Sequence, residues 1–325
     1  MTAAEILREL PKRSALVAGD ICLDRWCSYD PALDEPSRET GIPRVAVVST
    51  EVTPGAGGAV ANNLASLGIG RVAVLGAVGD DGHGYELKKA LNVRGIDTEL
   101  LALRAGYPTF TYTKLLNSRT GEEDRARVDF VYTRSPPETL EAEMLEHLRA
   151  FADAFDVIFV VDQAETKRGG VVTPAVRATL AELALAHPRK VIWADSRIRA
   201  ELFRHVIVKC NESEAETASV ALFGEIDYQR LRATLEAPVL FVTHGERGAL
   251  VVEAAGQAFA ASKSIEKPVD VCGAGDSFSA GAGMALAISG SPIDAARFGN
   301  LVASVSVMKR GTASATPEEV LALAE

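Results

Sequence analysis

Cysteine is scarce and scattered. Cys22, Cys27, Cys210 and Cys272 are the four in 325 residues, and none forms a C-x-x-C pair, so a disulfide framework has no support and buried, reduced thiols are expected. No apolar stretch approaches the roughly 18 residues that a bilayer crossing requires. The N-terminus carries Glu5 and Glu9 where an export signal would be basic and then apolar. These absences predict a cytoplasmic protein without a membrane partner. Positive charge is in deficit, 34 Lys and Arg against 44 Asp and Glu for a net charge of −10; such a surface repels a phosphate backbone and argues against nucleic-acid binding. There is no H-E-x-x-H or Cys/His cluster to hold zinc, and no Gly-Lys pair from which a Walker A loop could be drawn. Small molecules remain the expected partners.

What is present is an average globular composition, 47% apolar and 24% charged, with short β-branched runs alternating with helical patterns. The runs at 15–18, 72–75, 157–161, 191–193, 206–208 and 239–242 read as parallel strands. The stretches 59–67, 140–150, 174–186 and 227–235 read as crossover helices. At the start, Thr2 and Glu5 have capping-box spacing, Ile6, Leu7 and Leu10 share a face, and Pro11 ends the helix. Two segments, 26–51 and 108–133, break the rhythm with extended alternation and read as antiparallel strands of a small lid. With no fixed-period repeat, low-complexity tract or linker, residues 1–325 are expected to form one α/β domain with a discontinuous lid.

Chemistry collects in Asp270-Val-Cys-Gly-Ala-Gly-Asp276, which precedes a small-residue apolar run. That run reads as a helix starting near Gly275. The amides of Gly273, Ala274 and Gly275 would then face an anion at the positive end of the helix dipole, with Asp276 beside them as a base for an attacking hydroxyl, or else as a plain helix cap. A second glycine cluster, Gly55 to Asn63, offers Gly57 and Gly58 as backbone contacts and Asn62 as an amide donor and acceptor suited to sugar hydroxyls, although glycines before a helix more often serve turns and packing. Asp24 falls just beyond the first predicted strand, where open α/β sheets bind ligands.

Together these segments resemble the ribokinase-like (PfkB) carbohydrate kinases over essentially the whole chain. Gly57-Gly58-Ala-Val-Ala-Asn62 is similar to the first family signature and Asp270–Asp276 to the second. Between them, Gly76–Gly84 is similar to G-x-V-G-x-D-x-x-G, Asn211–Glu214 to N-x-x-E and Thr243–Gly248 to T-x-G-x-x-G. Gly19–Trp26, Ser37–Val45, Arg127–Phe130 and Lys309–Pro317 look most like the heptose-7-phosphate kinase subgroup. Its bifunctional members carry a nucleotidyltransferase domain after the kinase, for which 325 residues leave no room. Departures from the pattern are Cys272 for a threonine, Cys210 for a proline, and the segment Val161–Lys167.

The resemblance implies a three-layer core with a mostly parallel sheet and a β lid, and an ATP- and Mg2+-dependent kinase acting on a sugar or sugar phosphate. Asp276 would be the base and Gly273 to Gly275 the anion cradle. Asp24, Gly57, Gly58 and Asn62 would hold the acceptor, with Arg38 on its phosphate. Asn211, Glu214, Thr243, Gly245, Gly248 and Asn300 would hold the nucleotide, Glu214 also serving magnesium through water, and Asp270 a monovalent cation such as K+. Two copies would join through the lid. A nucleoside kinase and a non-catalytic sugar- or nucleotide-binding protein are the alternatives.

Overall fold

A computed structural model describes every residue except Ser264 and Glu266. Thirteen strands are found among the described residues: β1 Ser14–Gly19, β2 Ile21–Tyr29, β3 Val47–Ala56, β4 Arg71–Gly79, β5 Leu101–Arg104, β6 Thr111–Asn117, β7 Val128–Phe130, β8 Val157–Asp162, β9 Val191–Ser196, β10 Ile207–Asn211, β11 Leu240–Thr243, β12 Gly248–Glu253 and β13 Gly256–Ala261. The helices are α1 Ala3–Glu9, α2 Gly57–Ser66, α3 Gly82–Val93, α4 Glu138–Phe151, α5 Pro174–Ala186, α6 Glu212–Phe223, α7 Tyr228–Leu235, α8 Ala274–Ser289, α9 Pro292–Ser306 and α10 Pro317–Ala324. None of them is long and apolar enough to cross a membrane.

Nine strands form the large sheet in the order β13-β12-β11-β10-β9-β8-β1-β4-β5. Pairing is parallel from β5 across to β11, and antiparallel through β12 and β13. Successive side chains of the inner strands serve opposite faces. Ala15 and Val17 of β1 join Val157, Phe159 and Val161 of β8 in one apolar layer, while Leu16, Ala18, Ile158 and Val160 join the other. Burial on both faces explains why these strands read as continuous apolar runs. Helices α2, α8 and α9 cover the first face, and α4 to α7 the second. From β1 the chain builds outward to β4 and β5, then returns to β8 on the opposite flank. That reversal creates a crevice at the carboxyl ends of β1 and β8. Gly19 closes it tightly: a Cβ there would lie 2.2 Å from the Val161 carbonyl oxygen, at φ +120°.

The α/β class and the four predicted helices agree with the structure, and the capping box of Thr2 and Glu5 is present. The lid differs from expectation. It is a four-stranded sheet in the order β3-β2-β6-β7 whose strands begin at Ile21 and run to Ala56 in the first segment, and its central pair β2·β6 is parallel. The reason is topological: the chain reaches β6 through β4, α3 and β5, so it enters the lid from the same end as β2. Only the outer pairs, β2·β3 and β6·β7, are antiparallel.

Candidate active site

Helix α8 starts at Ala274 on a floor of packed aromatics, with Trp193, Phe241 and Phe278 at 4.8–6.4 Å between ring centroids. Its N-cap, Gly273, is left-handed at φ +74°. Asp270 sets the approach to this turn by accepting N–H groups from Cys272 at 3.0 Å and Gly311 at 3.1 Å. The Ala274 amide closes a long 3.3 Å turn to Val271. Among the described residues the Gly273 and Gly275 amides have no protein acceptor, while the Ala274 amide between them is partly engaged.

This turn is the wall between two cavities. One, of about 160 Å3, is lined by Asp24, Gly273, Asp276 and Thr312, together with the cations Arg25, Lys114, Arg127 and Arg197. The other, of about 320 Å3 and more apolar, is lined by Lys209, Asn211, Thr243, Gly245, Gly248, Ala274, Gly275 and Asn300. Of the six residues expected on the nucleotide, Asn211, Thr243, Gly245, Gly248 and Asn300 line the larger chamber, whereas of the five expected on the acceptor only Asp24 lines the smaller; Gly273 to Asp276 lie between the two.

Burial raises Asp276 well above the ordinary carboxylate range, and the charges of Asp195, Asp24 and Glu214 add to it while Lys209 opposes. A carboxylate so placed has a strong affinity for a proton. Lys209 is 5% exposed on β10, with its Nζ 2.9 Å from Asp195, which also accepts the Ser279 hydroxyl at 2.9 Å. Burial alone would lower its pKa, but Asp195, Glu214 and Asp276 outweigh that and keep it charged. A Cβ on Gly275 would lie 2.9 Å from Lys209 Nζ, so the ammonium stands directly beneath the cradle.

In the smaller cavity Asp24, 8% exposed, accepts the Thr312 hydroxyl at 2.5 Å. Burial pushes its pKa up to about 6, against the pull of Thr312, Lys114 and Arg127. The four cations each have an acidic partner, Arg25–Glu86, Lys114–Glu123, Arg127–Asp129 and Arg197–Glu165, at 2.7–3.7 Å. The contacting atoms of Arg25 and Glu86 are buried, whereas the other three pairs are partly exposed; such partly exposed pairs are worth only about 0–1 kcal/mol, so an incoming anion can exchange them. Trp26 and Tyr112 supply aromatic walls, and the Tyr112 hydroxyl is buried without a partner among the described residues.

The segment following β8 is clamped over this cavity by buried charge. Asp162 is ion-paired to Arg199 and accepts the Ser196 hydroxyl at 2.8 Å, while Arg199 reaches the carbonyls of Lys167 and Gly169 at 3.2 Å. Asp20 accepts the amides of Gln163 and Val171, each at 2.9 Å. Burial, with the neighbouring Asp162, pushes Asp20 up to about 7.

Several predicted residues stand elsewhere. Gly57 gives its amide to the Asp20 carbonyl at 3.1 Å, and a Cβ on Gly58 would meet Pro54 at 2.7 Å; both pack at the start of α2 and neither lines either of these two cavities. Asn62 is 7% exposed and lines neither of the two cavities. Asn211 and Glu214 close a reciprocal capping box at 2.7 and 2.9 Å, and Glu214 is not among the residues lining the larger cavity. Arg38 sits on an exposed lid turn outside both cavities. Sequence reasoning missed Lys209, Asp195, Thr312 and the cavity cations. A charged residue inside the apolar run Ile207–Cys210 was the signal for the first.

Residues 21–319 match the pfkB family of carbohydrate kinases. The chain is 31% identical over 316 residues to a bifunctional protein HldE of Geobacter sulfurreducens, covering 95% of this chain and 62% of that protein. It therefore spans less than two thirds of the length of the HldE proteins it matches. The ribokinase of Thermotoga maritima superposes with a TM-score of 0.69 at 21% identity, over 96% of this chain and 99% of its own. An Arabidopsis thaliana ribokinase complexed with ribose and ATP gives 0.70 at 17% identity, with the same coverage. These likenesses fix the fold as ribokinase-like.

Proposed function

The chain belongs to the pfkB family of carbohydrate kinases, and on that premise we propose that it transfers the γ-phosphoryl group of ATP to a hydroxyl of a sugar that already carries a phosphate. The observation that carries the reading is the partition. Asp276 and Gly273 face a small cation-lined chamber, while Gly275 and Lys209 face a larger apolar one. ATP would occupy the larger chamber, with Thr243, Gly245, Gly248 and Asn300 around it. The sugar would occupy the smaller, with a hydroxyl on Asp24.

Asp276 accepts the proton of the attacking hydroxyl, a role worth about 10²–10⁴-fold in rate. The Gly273 and Gly275 amides and the Lys209 ammonium hold the charge that develops on the transferring group. The carboxylates of Asp195 and Glu214, close enough to act on Asp276, suit a hard cation bound through water. A magnesium ion there would take most of its ligands from phosphate and water. That ion would neutralise phosphate charge. A K+ ion at Asp270 would share a carboxylate already accepting two N–H groups, each oxygen keeping a lone pair.

The acceptor's own phosphate is assigned in this reading to Arg127, Arg197 and Lys114, in place of the Arg38 expected from sequence, because arginine forks in the cavity can grip phosphate oxygens in pairs. A heptose 7-phosphate fits the relatives' similarity. Two copies would meet at the lid, whose edge strand β3 leaves Val47 and Val48 exposed. ADP release measured with heptose 7-phosphate, fructose 6-phosphate, ribose and inosine tests the reading. A phosphorylated sugar should be turned over fastest, and Arg127→Ala should raise its KM about 10- to 100-fold while Arg38→Ala leaves it nearly unchanged. Preference for ribose or inosine would overturn the acceptor class, and no ADP from any of them would overturn the kinase.

A further inference from the structure

The short segment between α9 and α10 joins three parts of the molecule. The Gly311 amide is bonded to Asp270, at the root of the cradle. The Trp26 indole of β2 packs over Gly311, 3.1–3.4 Å from where a Cβ would sit. Next in sequence, Thr312 is 3% exposed. Its hydroxyl donates to Asp24 Oδ2 at 2.5 Å and accepts from the Thr53 hydroxyl of β3 at 3.3 Å. Its methyl lies under Gly273, 2.5 Å from an ideal Cβ at that position.

A hydroxyl has one proton to give. Because Thr53 donates to Thr312, the Thr312 proton goes to Asp24, and the chain Thr53–Thr312–Asp24 runs in one direction only. Asp24 Oδ2 is thereby engaged. Oδ1 has no protein donor among the described residues; it packs over Gly55, where a Cβ would lie 2.4 Å from it, and Asp24 borders the cavity. We propose that Thr312 is a positioning and specificity-determining residue: by occupying one lone pair of Oδ2 it fixes the rotamer of Asp24, so that Oδ1, which has no donor among the described residues, is held to accept a hydroxyl of the acceptor sugar. The inference rests on the kinase reading above and names which residue gives Asp24 its direction.

The alternative is that Thr312 merely fills space beneath Gly273. A filler would leave the protonation of Asp24 untouched, whereas a donor to the carboxylate favours its ionised form. The groups acting on Asp24 from around it are Lys114 of β6, Arg127 and Asp129 beside and within β7, Cys22 of β2, Cys272 before the cradle and Asp276 of α8. All are retained when Thr312 alone is changed. Burial already draws Asp24 toward its neutral form, so loss of one donor should be visible as a displaced titration.

Two measurements test the proposal. The first needs no substrate: the Asp24 carboxyl is titrated by carbon NMR of aspartate-labelled protein, with Asp24→Asn to assign the signal. Thr312→Val should move the midpoint upward by about one pH unit and Thr312→Ser should restore it. The second uses whichever sugar or sugar phosphate of the panel above the wild type turns over fastest. Thr312→Val should raise the acceptor KM about tenfold or more, leave the ATP KM unchanged, and be rescued by Thr312→Ser. If Thr312→Val does not fold, Thr312→Ala and Thr312→Ser give the same comparison. An unmoved Asp24 titration, or an equal rise in both KM values, overturns the proposal. A wild type that releases no ADP overturns the kinase reading instead, while the titration still decides whether Thr312 directs Asp24.

Discussion

Replacing Gly273 by alanine should cost the protein stability in two separable parts. The backbone there is left-handed at φ +74°, a conformation that costs an L side chain about 1–2 kcal/mol. The added methyl would also lie 2.5 Å from Thr312 Cγ2, where carbon atoms ordinarily stand about 3.5–4.0 Å apart. Thr312 is poorly placed to yield, being buried and hydrogen-bonded at its hydroxyl to both Asp24 and Thr53. Overpacking of this kind costs about 1–3 kcal/mol, so Gly273→Ala should destabilise by about 2–5 kcal/mol. Thr312→Ser removes the opposing methyl and keeps the hydroxyl. In a double-mutant cycle read by urea unfolding, Thr312→Ser should therefore return the overlap share and leave the backbone share. Strictly additive single effects would mean that the two residues do not touch, and a Gly273→Ala cost below about 1 kcal/mol would refute the left-handed cap itself.

Asp276→Asn should lower turnover about 10²–10⁴-fold while nucleotide affinity stays nearly constant; a loss under about tenfold would show that this carboxylate is not the base. Asp24, with its pKa near 6, and Asp276, raised well above the usual range, must both be ionised to accept protons from an acceptor. The kcat/KM for the acceptor should thus fall as pH drops below about 6, and a profile flat to pH 5 would contradict it. The stability of the unliganded protein has the opposite slope. A carboxyl whose folded pKa is raised favours folding most below its unfolded value of 3.8, and that advantage is lost as pH rises through about 6 for Asp24 and about 7 for Asp20. Asp24→Asn should accordingly gain urea resistance relative to wild type at pH 8 but not at pH 4, and the reverse order would refute the burial argument.

The parts of the molecule legible in sequence were those encoded by neighbours in the chain. Val157–Val161 is apolar at every position because both faces of β8 are covered, and Asp270–Asp276 carries its own turn and helix start. Of the residues picked out by motif, Asn211, Thr243, Gly245, Gly248 and Asn300 come together around one cavity, while Asp24 borders the other. What escaped was set by distant partners. Lys209 meets Asp195 across adjacent strands, and its charge matters only because Gly275 lies above it. Arg38 and Arg127 look alike as lid arginines, and only the register of the lid strands decides that one turns outward while the other borders the cavity. Asn211 and Glu214 satisfied the motif, yet their first partners are each other, since N-x-x-E is also the spacing of a capping box.

The central pairing of the large sheet has a consequence for synthesis. Strand β1 is bonded to β8, from Ala15 with Val157 to Gly19 with Val161, a separation of 142 residues that encloses the whole lid. At about 5–20 residues per second on a ribosome, β1 waits roughly 7–30 s for this partner. Its only earlier strand neighbour in the sheet is β4. During that interval the N-terminal half can assemble around β1, β4 and the lid, with one flank of β1 unpaired and the apolar Ala15–Ala18 stretch open to other chains. Nascent chains paused just short of β8 are thus the stage at which this protein most needs a chaperone.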